Sequence, residues 1–100
     1  MTLAARGDSQ GAMSEYRKAL MLDQNYPQIY NNLGNVQMQV GDYKDAEVNL
    51  KKALKIAPGF AVAKTNLIRV YLLTKQYDKA RSLSGNDPQV GEIIRQLQNR

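Results

Sequence analysis

The chain has 100 residues, 43% hydrophobic and 23% charged, with a formal net charge of +5, a size and balance that suit one small domain. It contains no cysteine and no histidine, which removes thiol nucleophiles, imidazole acid-base catalysis, disulfide staples and nearly all zinc sites. No apolar run approaches the roughly 20 residues that cross a bilayer, so no membrane span is expected.

Gly7 and Asp8 open a pattern that recurs. A shift of 34 residues carries them onto Gly41 and Asp42, and carries Arg17, Lys18, Ala19 and Leu20 onto Lys51, Lys52, Ala53 and Leu54. The same shift carries Asn32 and Leu33 onto Asn66 and Leu67, Val36 onto Val70, Tyr43 onto Tyr77 and Ala46 onto Ala80. A period of this length marks stacked helical pairs, in which neighbouring units share the burial and function lies on a common surface.

Taking Gly7 as the end of a first helix leaves only Met1 to Arg6 of it, so residues 1–26 read as a truncated first unit, mainly its second helix. Met13, Tyr16 and Leu20 would form the apolar face of that helix. Such a face is more apolar surface than a monomer usually leaves open, and homo-oligomerisation through this end is therefore one expectation.

Residues 27–60 read as a complete unit. Ile29, Tyr30, Leu33, Val36 and Val40 recur at helical spacing after Pro27, which suits a first turn. Gly41 stops this first (A) helix, and Asp42 is the expected N-cap of a second (B) helix whose Tyr43, Ala46, Leu50, Ala53 and Leu54 share a face. Ala46 and Ala53 are small where A and B must cross closely. Residues 61–84 repeat the scheme with helices over 61–74 and 77–83, the second shortened before Ser84, Gly85 and Asn86. Asp87 and Pro88 then start an expected capping helix over 87–100, with Val90, Ile93, Ile94 and Leu97 on one stripe. Tyr16, Tyr26, Tyr43, Phe60 and Tyr77 all fall at expected packing positions, whereas Tyr71 has reach enough for an exposed groove.

Tyr30, Leu33, Gly34, Ala46, Leu50, Ala53 and Pro58 resemble the W-x-x-L-G-x-x-Y, A-x-x-x-F, P spacing of the tetratricopeptide repeat. Gln37 stands where that pattern has Tyr, and the third copy restores it as Tyr71 while replacing Gly34 by Ile68 and Gly41 by Lys75. The resemblance covers residues 7 to 84 and implies an all-α, antiparallel helix-turn-helix repeat solenoid, a right-handed superhelix whose A helices line a concave side that binds peptides. Carried over by position, the groove residues are Gln28, Asn31, Asn32, Asn35, Met38 and Gln39 on one helix. The next helix supplies Val62, Thr65, Asn66, Arg69, Leu72 and Leu73.

This groove is rich in amides, and Asn and Gln each offer a donor and an acceptor to the backbone of an extended peptide. Tyr30 to Asn35 is similar to the repeats of O-linked N-acetylglucosamine transferases, in which an asparagine ladder holds substrate backbone. That resemblance implies Asn32 and Asn66 as successive rungs, and a substrate-docking segment of a larger glycosyltransferase-like protein as one alternative. The chaperone-binding clamp of the same family fits less well, because Asn31 occupies the place of its lysine. Three asparagines within five helical positions carry a propensity cost, which favours a binding role over a merely solvated face. Arg69 reads either as an anchor for an acidic peptide or as an arm lying over Val62 and Leu73.

The nine acidic residues show no converging pair of the kind that cleaves glycosides, so no enzymatic activity and no cofactor are expected. Lys44, Lys51 and Lys55 share one face of the second B helix and form a basic stripe with Arg17 and Lys18. Asp45 and Glu47 interrupt it and no aromatic residues interleave to stack bases, which argues against a nucleic-acid partner. The expected function is binding of a protein or peptide partner, as an assembly scaffold or adaptor. The lack of cysteine favours the cytoplasm, and a bacterial periplasm fits it too.

Overall fold

A computed structural model describes residues 11–19, 21 and 26–99, and among these there is no strand. Residues 11–19 form α1. Then come α2 (Pro27–Gln39), α3 (Tyr43–Ile56), α4 (Ala61–Leu73), α5 (Tyr77–Ser84) and α6 (Pro88–Gln98). Helix α2 packs on α3, α4 on both, α5 on α4, and α6 on α5. The architecture is an all-α helical repeat solenoid. The residues assigned to the end of a preceding helix, Met1 to Arg6 with Gly7, lie outside the described residues.

Alanines fill the crossings. Ala46, Ala53, Ala63 and Ala80 are fully buried in one core with Leu50, Leu67, Val70, Val90 and Ile94. At the α2–α3 contact a Cβ on Gly34 would come within 2.7 Å of Leu50 Cγ and 3.2 Å of the Ala46 carbonyl oxygen, so the absent side chain is what lets the helices approach. The repeat shift sets Ile68 in the place of Gly34 and Ser84 in the place of Leu50. Bulk lost from the B helix of that unit is regained on its A helix, and Ile68 packs partly buried against the core.

Three helices end alike. After α2 the amide of Gly41 donates to the Met38 carbonyl at 3.2 Å and that of Asp42 to Gln37 at 2.8 Å. After α4 Lys75 donates to Leu72 at 3.3 Å and Gln76 to Tyr71 at 2.8 Å, and after α5 Gly85 donates to Ser82 and Asn86 to Arg81. This double bond pattern requires a left-handed residue, for which glycine is the usual choice. Gly41 (φ 89) and Gly85 (φ 68) supply it, but after α4 it is Lys75 at φ 61, where a Cβ costs about 1 kcal/mol.

Helix starts depart from expectation at one place. Asp42 occupies the N-cap position of α3, yet its side chain makes no cap hydrogen bond. Asp87 does cap α6, its carboxylate accepting from the Gln89 amide at 2.9 Å. Tyr26 is also corrected: assigned to packing, it is 47% exposed. Its repeat partner Phe60 lies partly buried against the core, and the two rings border a depression of 520 Å³ with Pro27, Pro58 and Gly59.

Candidate functional site

Exposure divides the expected groove residues into two sets. Gln28, Asn32 and Gln39 are exposed and Asn35 and Met38 half-buried along α2, while Val62, Thr65, Arg69 and Leu73 are exposed and Leu72 half-buried along α4. These positions repeat at helical spacing, so each helix presents one continuous stripe. Asn31 and Asn66 are buried, 6% and 7% exposed.

Asn66 Nδ2 donates to Asn31 Oδ1 at 2.9 Å, across the α2–α4 contact. The two residues expected as successive rungs thus differ in setting, Asn32 being exposed and Asn66 buried against Asn31. The 34-residue shift relates Asn66 to Asn32, but the residue that meets Asn66 is the neighbour of its counterpart. Contacts between adjacent units join non-equivalent positions, because each helix uses one side toward the unit before it and another toward the unit after. The pair meets the hydrogen-bonding need of two buried amides and fixes the spacing of the A helices. Asn66 still borders a shallow depression of 290 Å³ with Ala61, Val62, Thr65 and Arg69.

Farther along, the stripes run into a larger cavity of 750 Å³. It is lined by Met38 and Gln39 from α2, by Arg69, Leu72 and Leu73 from α4, by Lys75 and Tyr77, and by Ile93 and Leu97 from α6. Five of the residues assigned to the groove thus come together there. The remaining four were missed, because Lys75 reads as a lost glycine, Tyr77 as a packing position, and Ile93 and Leu97 as the packing stripe of a capping helix. That stripe in fact divides, with Ile94 fully buried while Ile93 stays 44% exposed beside Leu73, 55% exposed.

Tyr71 does not reach the groove. It is 5% exposed, with the Lys79 ammonium 5.8 Å from its ring centre. Burial pushes its phenol above the ordinary value, and the nearby Glu47 carboxylate pushes it further. Glu47 and Lys51 form an ion pair at 2.8 Å. The hydrogen bond from Lys51 is the main cause that holds the Glu47 carboxyl below its ordinary value, and the same bond raises Lys51. Gln37, in the place that Tyr71 has in the next unit, is buried and accepts from Asn49 Nδ2 at 2.8 Å.

The other assigned surfaces are modified by their surroundings. Of the residues assigned to self-association, Met13 is 7% exposed and Tyr16 half-buried, while Leu20 lies outside the described residues. On the basic stripe Lys44, Lys51 and Lys55 are exposed, but Lys51 is neutralised by Glu47, and neighbouring Lys52 lies 5.6 Å over the Tyr30 ring. No described helix is long and apolar enough to cross a membrane.

Comparison with known proteins agrees with the helical-repeat fold. The family pattern described as TPR repeat matches residues 2–41, and that described as Tetratricopeptide repeat matches residues 37–83. The chain is 35% identical over 78 residues to "Uncharacterized protein ycf37" of Pyropia yezoensis, a match that takes in 76% of this chain and 44% of that protein. It thus spans less than half the length of this relative. Repeats of this kind generally mediate protein–protein interaction, and across both its helical architecture and its sequence pattern the chain belongs to the tetratricopeptide-repeat family.

Proposed function

We propose that this chain is a non-enzymatic binding module that holds a segment of a protein partner in its concave groove, as part of an assembly scaffold or adaptor. The observation that carries the reading is the meeting of Met38, Gln39, Arg69, Leu72 and Leu73 around one cavity of 750 Å³. Apolar side chains of a bound segment enter there, where Leu73 and Ile93 are exposed. The exposed amides Gln28, Asn32 and Gln39, with half-buried Asn35, pair with its backbone along α2. Asn66 acts mainly through Asn31, by setting the distance between α2 and α4.

A displayed random-peptide library selected on the full chain tests this. Selected peptides are expected to lose at least about tenfold in affinity on Leu73→Asp, a loss near 1.4 kcal/mol, and several-fold on Asn32→Ala/Asn35→Ala, with helicity unchanged by circular dichroism. Peptides whose affinity is indifferent to both variants would remove the groove as the binding site.

A further inference from the structure

We propose that the cavity between the groove and α6 selects a segment carrying acidic side chains between apolar ones. The proposal rests on the groove reading above and names the chemistry of its partner. Leu73, Ile93 and Leu97 offer apolar surface, and among the described residues the charged ones that line the cavity are Arg69 and Lys75, with no carboxylate. Among the described residues the ion pairs are Lys51 with Glu47, Arg81 with Asp78 and Arg95 with Glu92. Arg69 and Lys75 take no part in them. The acid on α6, Glu92, is held by Arg95 on its own helix, so the charged side chains lining the cavity are cations beside apolar walls, where a charge-assisted bond gains strength.

Backbone geometry supplies an independent reason. The turn after α4 makes the same two hydrogen bonds as the turn after α2, where glycine serves, yet it holds Lys75 at φ 61. Glycine would satisfy this turn without strain. Strain retained at a residue that also places a cation on the rim of a cavity points to use of that cation. Arg69 borders both the large cavity and the 290 Å³ depression along α4, so a segment leaving the cavity toward Thr65 stays within reach of its guanidinium.

The test uses short acetylated and amidated peptides of one leucine and phenylalanine frame, with the intervening positions all Glu, all Gln or all Lys. Blocked ends remove any terminal carboxylate. In fluorescence anisotropy on the full chain, the Glu peptide is expected to bind at least about tenfold more tightly than the Gln peptide near 0.1 M salt, with the gap closing as the Debye length shrinks at higher salt. Lys75→Gly is expected to weaken the Glu peptide several-fold while raising the melting temperature, and Arg69→Gln/Lys75→Gln to abolish the preference for Glu over Gln. Equal affinity for all three peptides, or no binding of any, overturns the proposal. If equal affinities all fall on Leu73→Asp, charge selection fails and the groove reading survives. If the Glu peptide ignores Leu73→Asp and follows Lys44→Gln/Lys55→Gln instead, the groove reading fails as well. Light scattering that shows a dimer whose formation excludes the peptides would give the cavity to a second copy and overturn the proposal.

Discussion

Asn66 donates to Asn31 from one A helix to the next, and both amides are almost wholly withdrawn from water. This pair is a joint between units. Removing one partner strands the other, which costs more than the bond itself contributes. Asn31→Ala and Asn66→Ala are each expected to lower stability by about 1–3 kcal/mol, and the double variant by clearly less than the sum. Urea unfolding of the four proteins checks it; additive losses would mean that the two amides do not act together.

Gly34 leaves no room for a side chain where α2 meets α3. Gly34→Ala places a methyl group against Leu50 and is expected to cost about 1–3 kcal/mol by overpacking. In Gly34→Ala/Leu50→Ala the new methyl occupies part of the space vacated by Leu50, so the double variant should retain more stability than the two separate losses imply. The comparison of unfolding midpoints decides the matter.

Lys75→Gly removes the left-handed strain after α4. Glycine also gains freedom in the unfolded chain, which offsets part of the benefit, and the net expectation is a gain of about 0.5 kcal/mol. Gly41→Lys is the reciprocal change and should destabilise. A Lys75→Gly protein that melts below the native chain would show that the lysine side chain makes a contact worth more than the strain.

Glu47 gives a pH dependence with a definite sign. A carboxyl held below its unfolded value contributes stability above that value and loses it as the pH falls through the folded one. Lys51, held above its ordinary value, contributes below that value and loses its share as the pH rises through the alkaline range. The native chain is therefore expected to exceed Glu47→Gln by about 0.5 kcal/mol near neutrality, since Lys51 is largely exposed, with the gap closing below the ordinary glutamate value of 4.5. A gap that persists at acid pH would assign the effect of Glu47 to packing.

The helices were legible because each is marked by apolar spacing and by a small residue where it crosses its neighbour, as at Ala46, Ala53 and Ala80. The groove stripes were carried over, position by position, from the family resemblance. What the period could not disclose are relations between different positions. It relates Asn32 to Asn66, whereas the contact joins Asn31 to Asn66. It registers Lys75 as a lost glycine, although the backbone at that place keeps a left-handed residue regardless of which side chain it carries. Ile93 and Ile94 are neighbours of similar character, and only the docking of α6 decides that one is buried and the other faces the cavity.

The exchange of bulk between Gly34 with Leu50 and Ile68 with Ser84 makes the two helix pairs unequal as building blocks. A recombination event that joined the first helix of one pair to the second helix of the other would set Gly34 against Ser84 and leave a void, or drive Ile68 into Leu50. Either product begins life handicapped. The two pairs are therefore not interchangeable parts, and the shape of a single helix crossing decides which first helix can sit on which second one.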